Sequence, residues 1–560
     1  MQAEFCVAFR YVEHCSDARP PRTCGRRKNL ETRTQVCRRI RIVEYSVEER
    51  QDVHITAKAD WEPFKLSTKC LLTSSVAVNI SAHGCVIGFS AILIPSLRRP
   101  DSHIHATPSQ ESWIASVIGF TLITGNIIIT PLMDTLGRKW SHILSALPIL
   151  TGWFLLLMVN SVGGLITARF LQGISMGMLG PLGSVIIGEM TDPKSRGAFL
   201  TSMSLSLTIG VLSTHGLGAL FSWQQNALAC SFISFTALLL IIYNPESPSW
   251  LISKGRFKEG EEIFYWLRGR GPDQESEFEK MVAAQKMYRN SNVIDQDLAL
   301  HVKAKRFFAY LRLTSKKREF YKPIIIMFLI YTMFQFAGIN VISSYTTDII
   351  NKVVGPDANA KFLMVMLDIE RLICNIGAVY LMKILKRRTL LFSSGAICVL
   401  SYIGKSCYVF AKESNALPFE SQWLPIALIA LYMCSLTIGL SSIPFTISGE
   451  IFPLEYRGLG GGISVLALSF NLFSAVKCFP VLTNYVGLPI TYLVYAGVVV
   501  SCLTCLYFIM PETKDRTLQD IEDSFRGVSP RDLKSTEPLN EHDKGELRRC
   551  SSHNYALMIK

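Results

Sequence analysis

Twelve runs of about 20 or more predominantly apolar residues lie along this 560-residue chain, and nothing else in it restricts the fold so tightly. The first six lie near 71–94, 112–133, 142–160, 163–188, 198–221 and 224–243. The next six lie near 323–345, 361–384, 389–411, 423–448, 459–483 and 489–510. A helix of about 20 residues rises about 30 Å, the thickness of a bilayer's hydrocarbon core. The competing reading, a large soluble protein with buried helices, fails because a soluble core cannot hide so many wholly apolar spans. Charged residues make up 18% of the chain, against about 25% in soluble domains. The expected fold class is an all-α membrane protein with twelve transmembrane helices.

The runs divide into two sets of six around a polar stretch. GEMTDPKSRG (188–197) stands between runs four and five, and GEIFPLEYRG (449–458) stands between runs ten and eleven, 261 positions later. MDTLGRKW follows run two and KILKRRTL follows run eight. NPESPSWL closes run six and MPETKDRT closes run twelve. Three pairs in the same order, at similar offsets, point to a duplicated half. The expected organisation is an N-terminal tail, 1–65; a six-helix bundle, 66–243; a helical linker domain, 244–322; a second six-helix bundle, 323–510; and a C-terminal tail, 511–560. Within the linker, KEGEEIFYWLRG (258–269) places Ile263, Trp266 and Leu267 at helical spacing, and ESEFEKMVAAQKMYR (275–289) is rich in helix formers.

Lys and Arg set the expected orientation. Arg138, Lys139, Lys194, Arg196, Lys383, Lys386, Arg387, Arg388 and Arg457 all follow even-numbered runs, as does the basic central stretch. The opposite loops are poorer in basic residues, with Arg98 and Arg99 as the main exceptions. Both termini and the linker are accordingly expected in the cytosol, in a multi-pass protein of the cell membrane. The net charge of +13 then reads as this bias and not as nucleic-acid binding, since no basic stretch interleaved with aromatics accompanies it. The tail at 1–65 lacks the apolar core of a signal peptide. Its Cys6, Cys15, Cys24 and Cys37 do not have zinc-finger spacing, and a disordered tail with reduced thiols is expected. The tail after about 524 is expected to be disordered as well. Cys502 and Cys505 form a C-x-x-C inside run twelve with no metal or redox partner in view. No cofactor and no metal are expected. Nor is an enzyme indicated: GLGGGIS (458–464) opens a helix instead of following a strand, and no H-x-x-x-H occurs.

The repeated phrases lie where adjacent runs meet the same side of the bilayer. Asp134, Arg138, Glu189, Arg196 and Glu246 gather there in the first half, and Arg387, Arg388, Glu450, Arg457 and Glu512 in the second. Opposite charges at the ends of packed helices can pair, and partial exclusion of water strengthens them beyond the about 0–1 kcal/mol of exposed pairs. The expectation is a salt-bridge network that fastens the cytosolic side shut and breaks when the halves rock apart. The alternative is a solvated charged loop.

Seven motifs span about 70–523 of the chain: DTLGRK (134–139), ARFLQGISMG (168–177), GEMTDPKSRG, PESPSWL (245–251), FQFAGINVISSY (334–345), GEIFPLEYRG and PETKDRTL (511–518). In these motifs the chain resembles the sugar porters of the major facilitator superfamily, and within them most resembles the insect facilitated trehalose transporters. The resemblance implies two six-helix bundles around a central cavity, a cytosolic helical domain between them, and alternating access around a midplane site. It implies a small sugar as the partner, trehalose or a hexose such as glucose, besides the lipid bilayer.

By the same resemblance, Gln335 and Asn340 match the family's second glutamine and its asparagine. An amide suits a pair of sugar hydroxyls, because it both donates and accepts; amides inside membranes also hold helices together. Tyr345, Thr437, Ser204, Phe445 and Arg371 complete the implied substrate site. Several positions depart from the family pattern. Phe334 stands where a second amide is usual, Ser204 where run five often has glutamine, and Arg371 where run eight has asparagine. The usual tryptophan of run ten is Phe445, which keeps a ring and loses the N–H donor. Leu468 and Ser469 replace an Asn-Trp pair, and Ala168 replaces a glycine. Asp368, Glu370 and Arg371 lie inside an otherwise apolar run, where ionisable groups are costly. Either Arg371 lines the cavity, with Asp368 three residues away able to pair with it, or the span starts later and these charges lie near its extracellular end.

Proton-coupled sugar porters carry an acid in run one opposite the arginine of run four. Here that arginine is Arg169, the matching position is Ser90, and 71–94 holds no Asp or Glu. A protonatable switch needs a titratable group, so facilitated diffusion without obligatory proton coupling is favoured, with the acids of run eight as the alternative. Arg169 could equally be a packing residue satisfied by carbonyls. Two further function classes stay open: a non-transporting sugar sensor on a porter scaffold, and a carrier of another small polar solute, such as an organic anion drawn by Arg371.

Overall fold

The computed structural model describes residues 62–191, 193–272, 274–283, 309, 311–355, 358–416, 423–453, 456–514, 521 and 524–525. Most of the two expected tails, residues 1–61 with Cys6, Cys15, Cys24 and Cys37 and residues 526–560, lies outside the described residues, as do the side chains of Arg196 and Arg457, while 62–65 already belong to the first helix. The first half holds α1 (Glu62–Leu97), α2 (Pro108–Leu136), α3 (Arg138–Met158), α4 (Val162–Met190), α5 (Pro193–Leu220) and α6 (Trp223–Tyr243). Two short helices follow, α7 (Pro248–Ser253) and α8 (Phe257–Arg268). The second half holds α9 (Arg318–Phe336), α10 (Ile339–Val353), α11 (Ala360–Ile384), α12 (Arg387–Glu413), α13 (Trp423–Ser435), a π-helical turn at Leu436–Leu440, α14 (Ile443–Glu450), α15 (Arg457–Val486) and α16 (Leu488–Ile509). Local sequence starts several of these. Thr107 before α2 and Ser222 before α6 each accept the N–H three residues on, while Gln110 and Gln225 reach back to the cap backbone. Such capping boxes satisfy donors that a helix start leaves free.

Among the described residues, eleven segments are long and apolar enough to cross a membrane, against an expectation of twelve. The difference is α11. Its 25 residues rise about 37 Å, enough to cross, but Asp368, Glu370 and Arg371 fall within one turn and lower its apolar character. Two of the eleven are interrupted: Arg318–Val353 joins α9 to α10 across Gly338, and Trp423–Glu450 runs through the π turn.

The halves meet along two matched seams, α2 along α15 and α5 along α11. The second span of each half therefore faces the fifth span of the other, which is the two-fold relation a duplicated sequence makes available. Within a half, helices approach closely at glycine. A Cβ on Gly177 of α4 would lie 2.2 Å from the Leu122 carbonyl oxygen and 3.0 Å from the Gly125 Cα of α2. Small residues matter here because lipid removes the hydrophobic drive between helices and leaves van der Waals contact to hold them. In GLGGGIS, a Cβ at Gly460 would meet the Phe452 ring at 2.5 Å, whereas Gly461 and Gly462 face open space.

In the linker, α8 forms at the expected place, but its buried face is Gly260, Phe264 and Leu267, and Trp266 is exposed. Residues 274–283 are also helical. Arg268 ties this region to the bundle, donating to Glu277 (2.8 Å) and to the Thr191 carbonyl just past α4 (2.9 Å). Cys502 is buried in α16 and Cys505 is exposed, both as free thiols.

Candidate functional site

The repeated phrases fold into two charge clusters of matching design. In the first half Arg138, the first residue of α3, donates Nε and Nη2 to the two oxygens of Glu189 (2.9 and 2.7 Å) and Nη1 to the Met133 carbonyl (3.1 Å). Glu246 accepts from the backbone N–H of Arg138 (2.7 Å), Lys139 and Ser247. Its carboxylate thus sits on the N-terminus of α3, where the helix dipole favours negative charge. The Ser247 hydroxyl donates to Glu189 (2.5 Å). In the second half Arg387, the first residue of α12, donates to Glu450 (3.3 Å) and to the Met382 carbonyl. Glu512 accepts from the backbone N–H of Arg387 (3.0 Å), Arg388 (3.1 Å), Thr513 and Lys514, and the Thr513 hydroxyl donates to Glu450 (2.6 Å). Met133 and Met382, Arg138 and Arg387, Glu189 and Glu450, Glu246 and Glu512, and Ser247 and Thr513 play the same parts. Burial works to raise the pKa of Glu512, but the four backbone donors outweigh it and hold the carboxyl below its ordinary range. Arg388 turns its guanidinium to the Tyr507 carbonyl (2.9 Å), and Asp134 contributes its carbonyl to Trp250 (3.2 Å).

These pairs fasten helices within one half. Among the described side chains, the carboxylates of Glu189, Glu246, Glu450 and Glu512 are held by donors of their own half.

Gly338 breaks the helix between α9 and α10 with φ +92°, a conformation that favours glycine. A Cβ there would lie 2.4 Å from the Tyr432 hydroxyl and 2.5 Å from that of Tyr402. Both hydroxyls donate to the Ala337 carbonyl (2.6 and 2.9 Å) beside the break. Across it, Asn340 Nδ2 donates to Gln335 Oε1 (2.8 Å), so the two amides expected to bind substrate meet each other. α10 bends again at Tyr345 (φ −127°, ψ 23°). The Tyr345 ring stacks on Phe479 (5.8 Å), and its buried hydroxyl meets the hydrogen-bond criteria with no partner among the described residues. Both rings line a cavity of about 500 Å³ between the halves, at the end remote from the repeated phrases, with Ser112, Thr483 and Asn484. Arg98 crosses its rim, with Nε and Nη2 on Glu111 (3.0 and 2.6 Å) and Nη1 on Asp348 of α10 (2.9 Å). Hydrogen bonding to Glu111 raises the Arg98 pKa further above its ordinary value.

At the α5–α11 seam, Ser204 donates to Asn375 Oδ1 (3.2 Å), and Asn375 Nδ2 donates to Thr208 (2.7 Å). An amide does face Ser204, but one turn beyond Arg371. Arg371 is buried and donates to Ser343 of α10 (2.9 Å). Its expected partner Asp368 faces α5 instead, where its carboxylate lies 2.5 Å from His215 Nδ1. Since α11 begins at Ala360, these charges lie two to three turns inside the helix and not at its end. Thr437 is buried in the π turn with its hydroxyl on the Met433 carbonyl (2.9 Å). Phe445 is half exposed, its ring edge-on to Phe334 (6.0 Å).

Arg169 is fully buried and meets Ser90, as the motif alignment expects. It donates to Ser90 Oγ (2.6 Å), the Val86 carbonyl (2.7 Å), Gln172 Oε1 (3.1 Å) and the Ile114 carbonyl (3.3 Å), all neutral acceptors. Some polar groups carried no signal read in the sequence. Lys405 is buried with its ammonium over the rings of Tyr432 (3.3 Å), Tyr402 (4.5 Å) and Tyr492 (4.7 Å), a lone cation in run nine that its apolar setting could have flagged. Among the described residues, Glu370, Cys374 and Cys434 bring potential metal-ligand atoms within 4.8 Å of one another.

Membrane-crossing helices in two like halves, with a discontinuous helix and a polar seam between them, make this a multi-pass membrane protein. The chain belongs to the sugar (and other) transporter family, whose model matches residues 69–525. It is 26% identical over 459 residues to the facilitated trehalose transporter Tret1 of Aedes aegypti, a match covering 80% of this chain and 55% of that protein. The chain thus spans about half the length of that relative. The Bombyx mori facilitated trehalose transporter Tret1 is 26% identical over 473 residues, covering 83% of this chain and 89% of that one. The inward open conformation of the xylose transporter XylE from E. coli matches with TM-score 0.63 and 16% identity, covering 82% of this chain and 99% of that chain. XylE as a proton:xylose symporter bound to 6-bromo-6-deoxy-D-glucose matches with TM-score 0.62 and 16% identity, covering 81% and 99%. At this identity the likeness to XylE concerns the fold alone.

Proposed function

We propose that this protein carries a sugar, trehalose or a hexose such as glucose, across the cell membrane by facilitated alternating access. α11 serves as the twelfth span, so each half is a six-helix bundle, with both termini and the linker helices in the cytosol. The observation that carries the reading is the break at Gly338, which brings Gln335 and Asn340 together in the middle of a membrane-crossing segment. Non-helical backbone at membrane depth is tolerated where it lines a cavity or is buried in protein, and transporters place substrate at such breaks. Gln335, Asn340, Tyr345, Ser204 and Arg371 contact the sugar, and Thr437 and Phe445 join them when the segment around the π turn moves. The two charge clusters keep each half rigid as it rocks, with Arg196 and Arg457 completing them. Facilitation is supported by Arg169, whose partner on α1 is the hydroxyl of Ser90 and not a carboxylate. The names of the Tret1 relatives support the substrate class. Such a site performs no bond chemistry, so the protein is not an enzyme.

The test is uptake of labelled trehalose and glucose into proteoliposomes. Saturable uptake of at least one sugar, lowered tenfold or more by Asn340→Ala in protein that still folds, is the expected result. Sugar binding with no flux would establish the sensor reading instead, and flux of carboxylates in preference to sugars would establish a carrier of another solute.

A further inference from the structure

The structure assigns a proton-binding site to the seam between the halves, formed by His215 of α5 and Asp368 of α11. The inference rests on the halves parting as proposed above. Both side chains are buried, at 1% and 6% exposure. His215 Nε2 lies 3.1 Å from the Gly88 carbonyl oxygen of α1, and Nδ1 lies 2.5 Å from Asp368 Oδ2. The Gly88 carbonyl and an ionised carboxylate both only accept, and a neutral imidazole has a single N–H, so in either tautomer one ring nitrogen would turn a bare lone pair to an oxygen. One further proton on the pair turns that clash into a hydrogen bond. The closed contact therefore holds one proton more than the two groups would hold apart as neutral histidine and carboxylate. Gly88 makes it possible: a Cβ there would lie 3.0 Å from His215 Nε2.

Among the described residues, the neighbouring charged groups are engaged elsewhere or bear on the pair only through their charge. On α11, Arg371 donates to Ser343 of α10 while its charge also acts on Asp368, and Glu370 lies beside Cys374 and Cys434. Further along α10, Asp348 is held by Arg98, and Lys352 lies on the cavity rim. From α6, the Cys230 thiol meets the Thr214 hydroxyl. The α1 span has no Asp, Glu, Lys or Arg from Leu72 to Leu97, and its His83 bonds the Asn79 carbonyl and Ser175. On α5, Ser202–Leu220 carries no ionisable residue besides His215.

The pair joins one helix from each half, near the end where other contacts also cross. There Thr347 donates to the Ala91 carbonyl (3.0 Å), Lys361 to the Ala219 carbonyl (3.2 Å) and Arg98 to Asp348. In the proposed topology that end is external. When it opens, His215 leaves with one half and Asp368 with the other. Water solvates both, the imidazole keeps one hydrogen, the carboxylate is left ionised, and the proton passes to the entering water. Closing takes one proton up. The ratio of closed to open carrier then rises up to about tenfold for each unit fall in pH across the range where the site titrates. Loaded and empty carrier both hold the proton while they reorient, so it returns each cycle and drives no accumulation of sugar. The site sets which state is populated and leaves facilitated diffusion intact.

Hydrogen–deuterium exchange on the purified full-length protein tests this without any sugar present, so the result stands apart from whether sugar is carried. Wild type, Asp368→Asn and His215→Gln are compared at each of several pD values from about 5 to 8, the range in which imidazoles titrate, so intrinsic exchange chemistry cancels. In wild type, protection of the external ends of α1, α5, α10 and α11 should rise on acidification. In Asp368→Asn the amide can donate to Nδ1 of a neutral imidazole, so those ends should stay protected at every pD. His215→Gln should likewise lose the pD dependence. The helix ends near the repeated phrases report whether each variant is folded. Absence of pD dependence in folded wild type, or its survival in Asp368→Asn, would overturn the assignment.

Discussion

Replacing Glu189 with Gln should destabilise this protein more than replacing Glu450 with Gln, although the two residues hold equivalent places in the duplicated halves. Glu189 accepts two bonds from Arg138 at 2.9 and 2.7 Å and a third from Ser247 at 2.5 Å. The Arg138 and Glu189 side chains are 15% and 21% exposed. Charge-assisted bonds contribute about 1.5–3 kcal/mol each when well shielded, and the shielding here is incomplete, so losing the charge should cost about 2 kcal/mol. Glu450 takes one bond from Arg387 at 3.3 Å and one from the neutral Thr513 hydroxyl at 2.6 Å, and is 31% exposed. Its loss should cost about 1 kcal/mol or less. The difference of about 1 kcal/mol corresponds to roughly a fivefold change in an unfolding equilibrium or, if unfolding is irreversible, in an inactivation lifetime. Thermal denaturation of the purified variants in one detergent gives the ranking. A double-mutant cycle with Arg138→Gln isolates the pair and should return a coupling of about 1–2 kcal/mol. If Glu450→Gln costs as much as Glu189→Gln, or the cycle closes within about 0.3 kcal/mol, the clusters are solvated loops and the reasoning fails.

Gly338→Ala should lower thermal stability by about 1–3 kcal/mol and slow uptake, because the new methyl meets two tyrosine hydroxyls at a positive φ; Gly377→Ala, where nothing lies within 4 Å, is the matched control. Glu512 is held below its ordinary range, so its contribution is present above the unfolded value near pH 4.3 and is lost as pH falls through the lower folded value. Denaturation followed against pH should show that acid limb in wild type and lack it in Glu512→Gln. Raising the salt concentration from about 0.1 M to 1 M shortens electrostatic screening from about 10 Å to 3 Å. It should weaken the Arg98 bridge and raise exchange at the external ends of α1 and α10 in wild type, with a smaller effect in Arg98→Gln.

Features set by chain periodicity and by local repeats are legible in the sequence. Apolar run length is a one-dimensional property, so the spans emerged close to their observed limits, and the repeated phrases revealed the duplication because equivalent positions keep equivalent chemistry. α11 shows where this stops: Asp368, Glu370 and Arg371 are tolerated because α5, α10 and α13 pack around that helix, which run length does not record. The same holds for partners. Spacing allows Asp368 to pair with Arg371, yet the turn of the helix points one at His215, 153 positions away, and the other at Ser343. Asn375 took the place expected for an amide at position 371, since the face presented to α5 is fixed by packing and not by motif alignment. Ser90 and Arg169 did meet as the motifs imply, both lying in runs whose register the flanking motifs anchor.

Counterflow addresses the central claim most directly. Proteoliposomes are loaded with unlabelled trehalose or glucose and diluted into a trace of the labelled sugar, with no ion gradient. A carrier that exposes one site alternately to each side should accumulate label transiently above its equilibrium level, and an imposed proton gradient should leave the final level unchanged. Label that only relaxes monotonically to equilibrium, or accumulation sustained by the gradient, would contradict facilitated alternating access.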